Sequence, residues 1–363
     1  MSYTRQRRNY KCSPLKWECC TLLFPGFFRL CLALLVVVQH FSRVSLGDAA
    51  VCLFFVLSGY WIFVMWERQY NYARHRYFTF IVSRFWRIVP TFLLCSAITF
   101  ALYPHLVPTE YAAIASSLFV IGYRNLDHLP IVPAWSLDVE LQFYMVFPIL
   151  YLLFHKVDRR AAVAALACWS VASVAILYVR SGSVMTEPLP QILVLFMIGA
   201  AAARWRWVPP RALVVASAGL VVGMLGLGVS VPALRAMILG GSNSGANFIY
   251  NPVFNLVLAL AAVPLAISTV HVKSKKLDRA FGDLSYIVYL MHWPAFIFVH
   301  NHYGSLSPLQ RLPYAGLAMG VVFVSSVVIW LVWDRPINRA RHAWVRSRVR
   351  LGPVEQGVGQ PAA

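Results

Sequence analysis

The sequence predicts an all-α integral membrane protein with about ten transmembrane helices and no appended soluble domain. Three observations carry that fold class. Of 363 residues, 60% are hydrophobic and 12% charged, about half the charged fraction of a soluble domain. Apolar runs recur at 22–42, 48–66, 88–106, 136–154, 161–179, 190–204, 211–229, 250–270, 281–301 and 313–333, most of them near the roughly twenty residues a helix needs to cross a bilayer. The basic residues crowd into alternate connections, 26 of the 32 on one side, against only Arg43, Arg124, Arg180, Arg235 and Arg311 on the other. Basic connections stay in the cytoplasm, so both termini are expected there. The same pattern accounts for the net charge of +19 without nucleic acid, since a basic cytoplasmic face meets anionic membrane lipids.

Residues 1–21 are expected as a basic cytoplasmic tail, 22–335 as the membrane domain, and 336–363 as a basic, then disordered, cytoplasmic tail. No internal repeat is visible. The first apolar run outlasts a signal-peptide core and carries Arg29, so no cleavable leader is expected. The longest outer connection, about 107–135, holds Pro108, Pro130 and Pro133, and the Gly/Ser/Asn-rich stretch 230–250 reads as an outer loop. Cys12, Cys19, Cys20, Cys31, Cys52, Cys95 and Cys168 all avoid the outer connections, so neither a disulfide nor a metal site is expected. Cys19 and Cys20 precede the first span, where lipidation and free thiols are both open.

Within Phe27–Phe41 the only ionisable residues are Arg29 and His40. Eleven residues is about three helical turns, so the two share a face roughly 16 Å apart along the axis. Charge at bilayer depth is costly, and such residues face a protein interior or a wet cavity. In the second span Ser58 and Gly59 are small residues that let helices approach closely; packing is favoured over a Ser nucleophile. Asp48 opens that helix as an N-terminal charge. Arg84 and Arg87 end the inner connection before the third span, where they suit phosphate binding through paired donors or lipid anchoring. Ser136 reads as the N-cap of the fourth span, with Asp138 at its positive end. Glu140 and Tyr144 lie one turn apart on a face, at the same outer depth as His40. A carboxylate beside an imidazole is an acid/base pair; a capped helix with an interfacial Glu is the alternative. His292 falls near the bilayer midplane two residues before Pro294, as a functional group or as a partner for backbone freed by the proline. Trp333-Asp334-Arg335-Pro336 reads as the stop of the last helix.

These residues together resemble the acyltransferase-3 family of multi-spanning O-acyltransferases, over nearly the whole chain. The resemblance is carried by R-x10-H at Arg29 and His40, and by S-L-x-x-E-x-x-F-Y at Ser136, Leu137, Glu140, Phe143 and Tyr144. Phe54-Phe55 through Ser58-Gly59, R-x-x-R at Arg84 and Arg87, and Y-L-M-H-W-P around His292 support it. Trp-Asp-Arg-Pro stands where Glu-Arg-Pro is commoner, and Cys31 interrupts a small-residue run. The resemblance implies a bacterial inner-membrane enzyme that moves an acyl group, acetyl expected, from cytoplasmic acyl-CoA to a sugar hydroxyl. The acceptor would be a glycan or glycolipid, such as lipopolysaccharide or exopolysaccharide, with polysaccharide-assembly proteins as candidate partners. No bound cofactor is implied. His40 and Glu140 would be catalytic, Arg29, Arg84 and Arg87 would hold the donor, and Ser58, Ser136, Tyr144 and His292 would support them. Direct transfer and a covalent acyl-enzyme both fit. A secondary transporter or flippase for an anionic or glycan substrate would use the same residue types, as would a non-catalytic scaffold.

Single cysteines placed at Ser2, Tyr72 and Gly357 should resist an impermeant thiol reagent in sealed cells and react after permeabilisation. Labelling of any of the three in sealed cells would overturn the orientation.

Overall fold

The computed structural model describes residues 23–110, 130–180, 189–240 and 246–349. Its long helices are α1 (Pro25–Phe41), α2 (Gly47–Arg68), α3 (Arg76–Leu102), α4 (Trp135–Lys156), α5 (Arg159–Arg180), α6 (Leu189–Arg204), α7 (Arg211–Ser230), α8 (Asn251–Thr269), α9 (Lys276–Tyr303), α10 (Pro308–Ile329) and α11 (Arg335–Arg348). Among the described residues no extended strand forms, only two isolated bridges. In hydrocarbon every backbone polar group must be satisfied within its own segment, which a helix does and a lone strand cannot.

Among the described residues seven stretches are long and apolar enough to cross a membrane, those containing α2, α3, α4, α5, α7, α8 and α10–α11, while α1 and α6 are shorter apolar helices. The chain is a helical membrane protein. α9 is long but polar, carrying Asp278, Asp283, His292, His300 and His302.

Burial sorts the bundle into layers. The most apolar stretch of α2 is 78% buried, against 11% for α7 and 17% for α5, so α2 is central and α5 and α7 face outward. Small residues make the central crossing. A Cβ on Gly59 would sit 1.9 Å from the Phe196 carbonyl oxygen, and one on Gly199 would sit 1.8 Å from that of Val56. Backbone therefore meets backbone where α2 crosses α6, the close approach small residues permit in membranes. Phe196 stacks on Phe143 of α4, ring centroids 4.1 Å apart, and lies 4.7 Å from Phe55 of α2. These contacts bring α4 to the same hub.

The two ends of the bundle are tied separately. At one end the connection after α2 meets the chain's C-terminal helix: Arg74 N donates to Arg348 O (3.1 Å), and Ala73 bridges Val349. At the other, Val44 bridges Leu239 and Ser45 N donates to Ile238 O (2.7 Å). Connections assigned to one side by their charge thus meet on one end.

Three details differ from the expectations. α3 begins at Arg76, so Arg84 and Arg87 lie inside it rather than in the connection before it; Arg87 pairs with carboxylates of the bundle, which lets the helix carry it. The Trp333–Pro336 segment does not stop the last helix: a π-turn at Trp330–Asp334 leads straight into α11. The stretch 230–250 contains a short helix, Pro232–Ile238, and a 3-10 turn, Ala246–Tyr250. Most of the 107–135 connection lies outside the described residues, as do Cys12, Cys19, Cys20 and Arg124. Cys31, Cys52, Cys95 and Cys168 are free thiols.

Gly199→Leu should lower the thermal midpoint and the yield of folded protein, since overpacking costs about 1–3 kcal/mol even where only side chains must shift. Wild-type stability in that variant would mean that α2 and α6 do not touch at this point.

Candidate active site

α1, α2, α4 and α9 enclose a cavity of about 520 Å³ including its open mouth, lined among others by Arg29, Ser136, Glu140, Ser285, Tyr286 and Tyr289. Its charged members are Arg29 and Glu140. Glu140 Oε1 accepts hydrogen bonds from Ser58 Oγ (2.5 Å) and from Tyr144 OH (2.5 Å). Tyr144 reaches it because residues four apart share a helix face. Ser58 reaches it from α2, one residue before the Gly59 crossing.

Arg29 lies one turn into α1. Its Nε is buried without a hydrogen-bond partner, and Glu140 is the foremost opposite charge in its electrostatic reach. Among the described residues no ion pair closes between them, so a cation and an anion face one cavity with their bonding capacity part-used.

Ser136 is not the N-cap. α4 begins at Trp135 with Ala134 before it, because Val132–Ala134 already turn as a 3-10 segment that runs into the helix. The Ser136 hydroxyl instead donates to Tyr289 OH (2.8 Å) and lies 3.2 Å from Pro133 O. Tyr289 OH in turn donates to Pro133 O (2.5 Å). This small network pins α9 to the start of α4 at the cavity wall.

His40 does not pair with Glu140. Its ring lies against α9, with centroids 5.2 Å from His292, 5.3 Å from Trp293 and 5.6 Å from Phe296. The last turn of α1 packs on α9, whereas Glu140 turns toward α2, so matching depth does not bring them together. His292 is therefore level with His40. It is fully buried, with neither ring nitrogen in a hydrogen bond, and its ring is 5.9 Å from that of Tyr289. The imidazoles connect to the cavity through Tyr289.

Arg84 and Arg87 part company. Arg87 Nη1 meets Asp334 Oδ1 at 3.0 Å and Nη2 meets Asp283 Oδ1 at 3.4 Å, with its guanidinium over the Tyr286 ring. Asp334, 1% exposed, also accepts from Thr91 Oγ1 (3.0 Å) and Asn338 Nδ2 (2.8 Å). Arg84 makes no such pair; its Nη2 donates to Tyr70 OH (2.6 Å). Sequence reasoning missed Asp334, read as part of a stop, and Tyr286 and Tyr289. For Asp334 a signal existed: an acid at the end of an apolar run calls for a buried partner by the logic already applied to Arg29.

The fold and cavity define a class, a helical membrane protein with an arginine and a glutamate facing a cavity inside its bundle. The chain belongs to the acyltransferase-3 family, whose sequence profile, described as an acyltransferase domain, matches residues 23–331. O-acetyltransferase OatA of Staphylococcus aureus is 28% identical over 303 residues, covering 74% of this chain and 49% of that protein. Acyltransferase MdmB of Streptomyces mycarofaciens is 24% identical over 287 residues, covering 72% of this chain and 71% of its own length. Exopolysaccharide production protein ExoZ of Rhizobium meliloti is 34% identical over 118 residues, covering 30% and 35%. The chain spans about half the length of the OatA proteins it matches. No solved structure matches.

Asp334→Leu should destabilise the protein by about 1–3 kcal/mol, because it leaves the Arg87 guanidinium only the half-exposed Asp283 as a counter-charge. The double variant Asp334→Leu/Arg87→Met should recover most of that loss, since no charge is then left alone. Thermal unfolding in detergent reads both, and a double variant no better than the single would remove this pair as the tie between α3 and the last helices.

Proposed function

We propose that the chain is a membrane O-acyltransferase that moves an acyl group, acetyl in the simplest case, from acyl-CoA to a sugar hydroxyl of an exported polysaccharide or glycolipid. Family membership supports acyl transfer, and the names of OatA and ExoZ support an O-acetyl product and a polysaccharide acceptor. The observation that carries the reading is the cavity where Arg29 faces Glu140. A polar, titratable cavity inside an apolar bundle is expensive to maintain unless it is used.

In this reading the end of the bundle bearing Arg84 and Arg341 faces the cytoplasm of a bacterial cell, and the donor enters there. Arg29 holds an anionic or carbonyl oxygen of the donor. Arg84 acts lower down, and Arg87, neutralised by Asp334 and Asp283, positions the helices rather than the donor. The acceptor enters from the opposite end. His40 takes the proton of its hydroxyl, the oxygen attacks the thioester carbonyl carbon, and the carbon–sulfur bond breaks. The proton then passes from His40 to the departing CoA thiolate. Glu140, held by Ser58 and Tyr144, accepts a hydrogen bond from the acceptor and offsets the charge of Arg29. His292 and Trp293 hold the His40 ring.

Purified His40→Ala protein should lose transfer of labelled acetyl from acetyl-CoA to glycan by about 10²–10⁴-fold, the usual contribution of a general base, with CoA binding near wild type. Glu140→Gln should lose less, since the amide still hydrogen-bonds. Transfer by His40→Ala at a tenth of the wild-type rate or more would remove His40 as the base.

A further inference from the structure

Arg84 on α3 and Arg341 on α11 are each 6% exposed and come from opposite ends of the sequence. Two neutral hydroxyls join them. Arg84 Nη2 donates to Tyr70 OH (2.6 Å), Tyr70 OH and Ser83 Oγ share a hydrogen bond (2.8 Å), and Arg341 Nη1 donates to the same Ser83 Oγ (3.1 Å). The remaining bonds of Arg341 also go to neutral acceptors, Asn338 Oδ1 (3.2 Å) and His342 Nε2 (3.0 Å). Arg84 Nε is buried with no partner.

Among the described residues neither guanidinium forms an ion pair. Asp334 lies within electrostatic reach of Arg341, as do the like charges of Arg84 and Arg87. The hydrogen bonds of Asp334, however, go to Arg87, Thr91 and Asn338. Two buried cations thus share a bridge of neutral hydroxyls with unused donor capacity, and buried charge is stable only when compensated. Guanidinium groups offer planar paired donors, the geometry that suits phosphate oxygens. The cluster reaches the cavity network through Phe80: Arg84 sits over its ring, and that ring is 6.0 Å from the ring of Tyr144, which donates to Glu140.

We propose that Arg84 and Arg341 form a phosphate-binding site closed by the C-terminal helix, with Arg341 as an additional donor-binding residue. The shared ligand chemistry is a phosphate ester, supplied by the nucleotide end of the acyl-CoA donor or by a phospholipid headgroup. The first source rests on the function proposed above; the site itself does not. Carrying one arginine on α11 makes phosphate binding tie the C-terminal helix to α3.

The test uses the full-length protein in a maltoside detergent, free of phosphate. Thermal midpoint and binding are measured with inorganic pyrophosphate, coenzyme A, dephospho-coenzyme A and phosphatidylglycerol in mixed micelles. Wild type should be stabilised by pyrophosphate, and Arg341→Gln should weaken that binding by about tenfold or more. Arg341→Lys should recover part of it. Arg346→Gln, which removes the same charge from an exposed position of α11, should bind as wild type does. Coenzyme A binding lost in Arg341→Gln identifies the donor as the source, while phosphatidylglycerol binding lost there identifies the headgroup. The acyl-transfer assay on wild type tests the functional reading separately. No stabilisation of wild type by any of the four ligands, binding retained in Arg341→Gln, or equal loss in Arg346→Gln would each overturn the site.

Discussion

Charge inside a low-dielectric bundle must be compensated, and that requirement organises the helices at the basic end. Arg87 and Asp334 satisfy it for each other. Their ion pair, extended by Thr91, Asn338 and Asp283, ties the third helix to the end of the tenth and to the ninth. Removing Arg87 would leave the buried Asp334 without its cation, and removing Asp334 would leave Arg87 only the half-exposed Asp283, so the pair sets which helices stay together. It also explains the π-turn at Trp330–Asp334: an extra residue in the turn re-aims Asp334 toward α3 while the helix continues.

Close helix approach does complementary work. The Gly59–Gly199 crossing lets α2 sit against α6 with backbone in contact. Ser58, the residue before Gly59, is thereby held at hydrogen-bond distance from Glu140. At the start of α1, Gly26 meets the Asp278 backbone, and Asp278 Oδ1 accepts from Phe27 N (2.8 Å). That contact seats α1 on α9 and directs Arg29, two residues further, at the cavity wall. Packing between small residues therefore positions the polar residues.

The cavity and its surroundings form a graded path. The imidazoles of His40 and His292 lie at one side, Glu140 and Arg29 in the middle, and Arg84 with Arg341 toward the basic end. The proposed donor and acceptor would use such a polarity, with cations at one end and a titratable group at the other.

Composition and periodicity by themselves determined the membrane class, the positions of the helices and the two-sided distribution of charge, because hydrocarbon tolerates little else over twenty residues. They also singled out Arg29, His40 and Glu140, since ionisable groups are rare in apolar runs and stand out one by one. Which of these meet was decided by tertiary structure. Depth along a helix can be read from residue number, but the direction a side chain takes depends on the neighbour it packs against. His40 and Glu140 are expected at one level, yet His40 turns to His292 and Glu140 to Ser58 and Tyr144. Ser136 reads as a cap until the preceding 3-10 turn takes that position. Asp334 and Arg341 look like ordinary punctuation and tail, because their partners, Arg87 and Ser83, lie 247 and 258 residues away, a separation that no local pattern encodes.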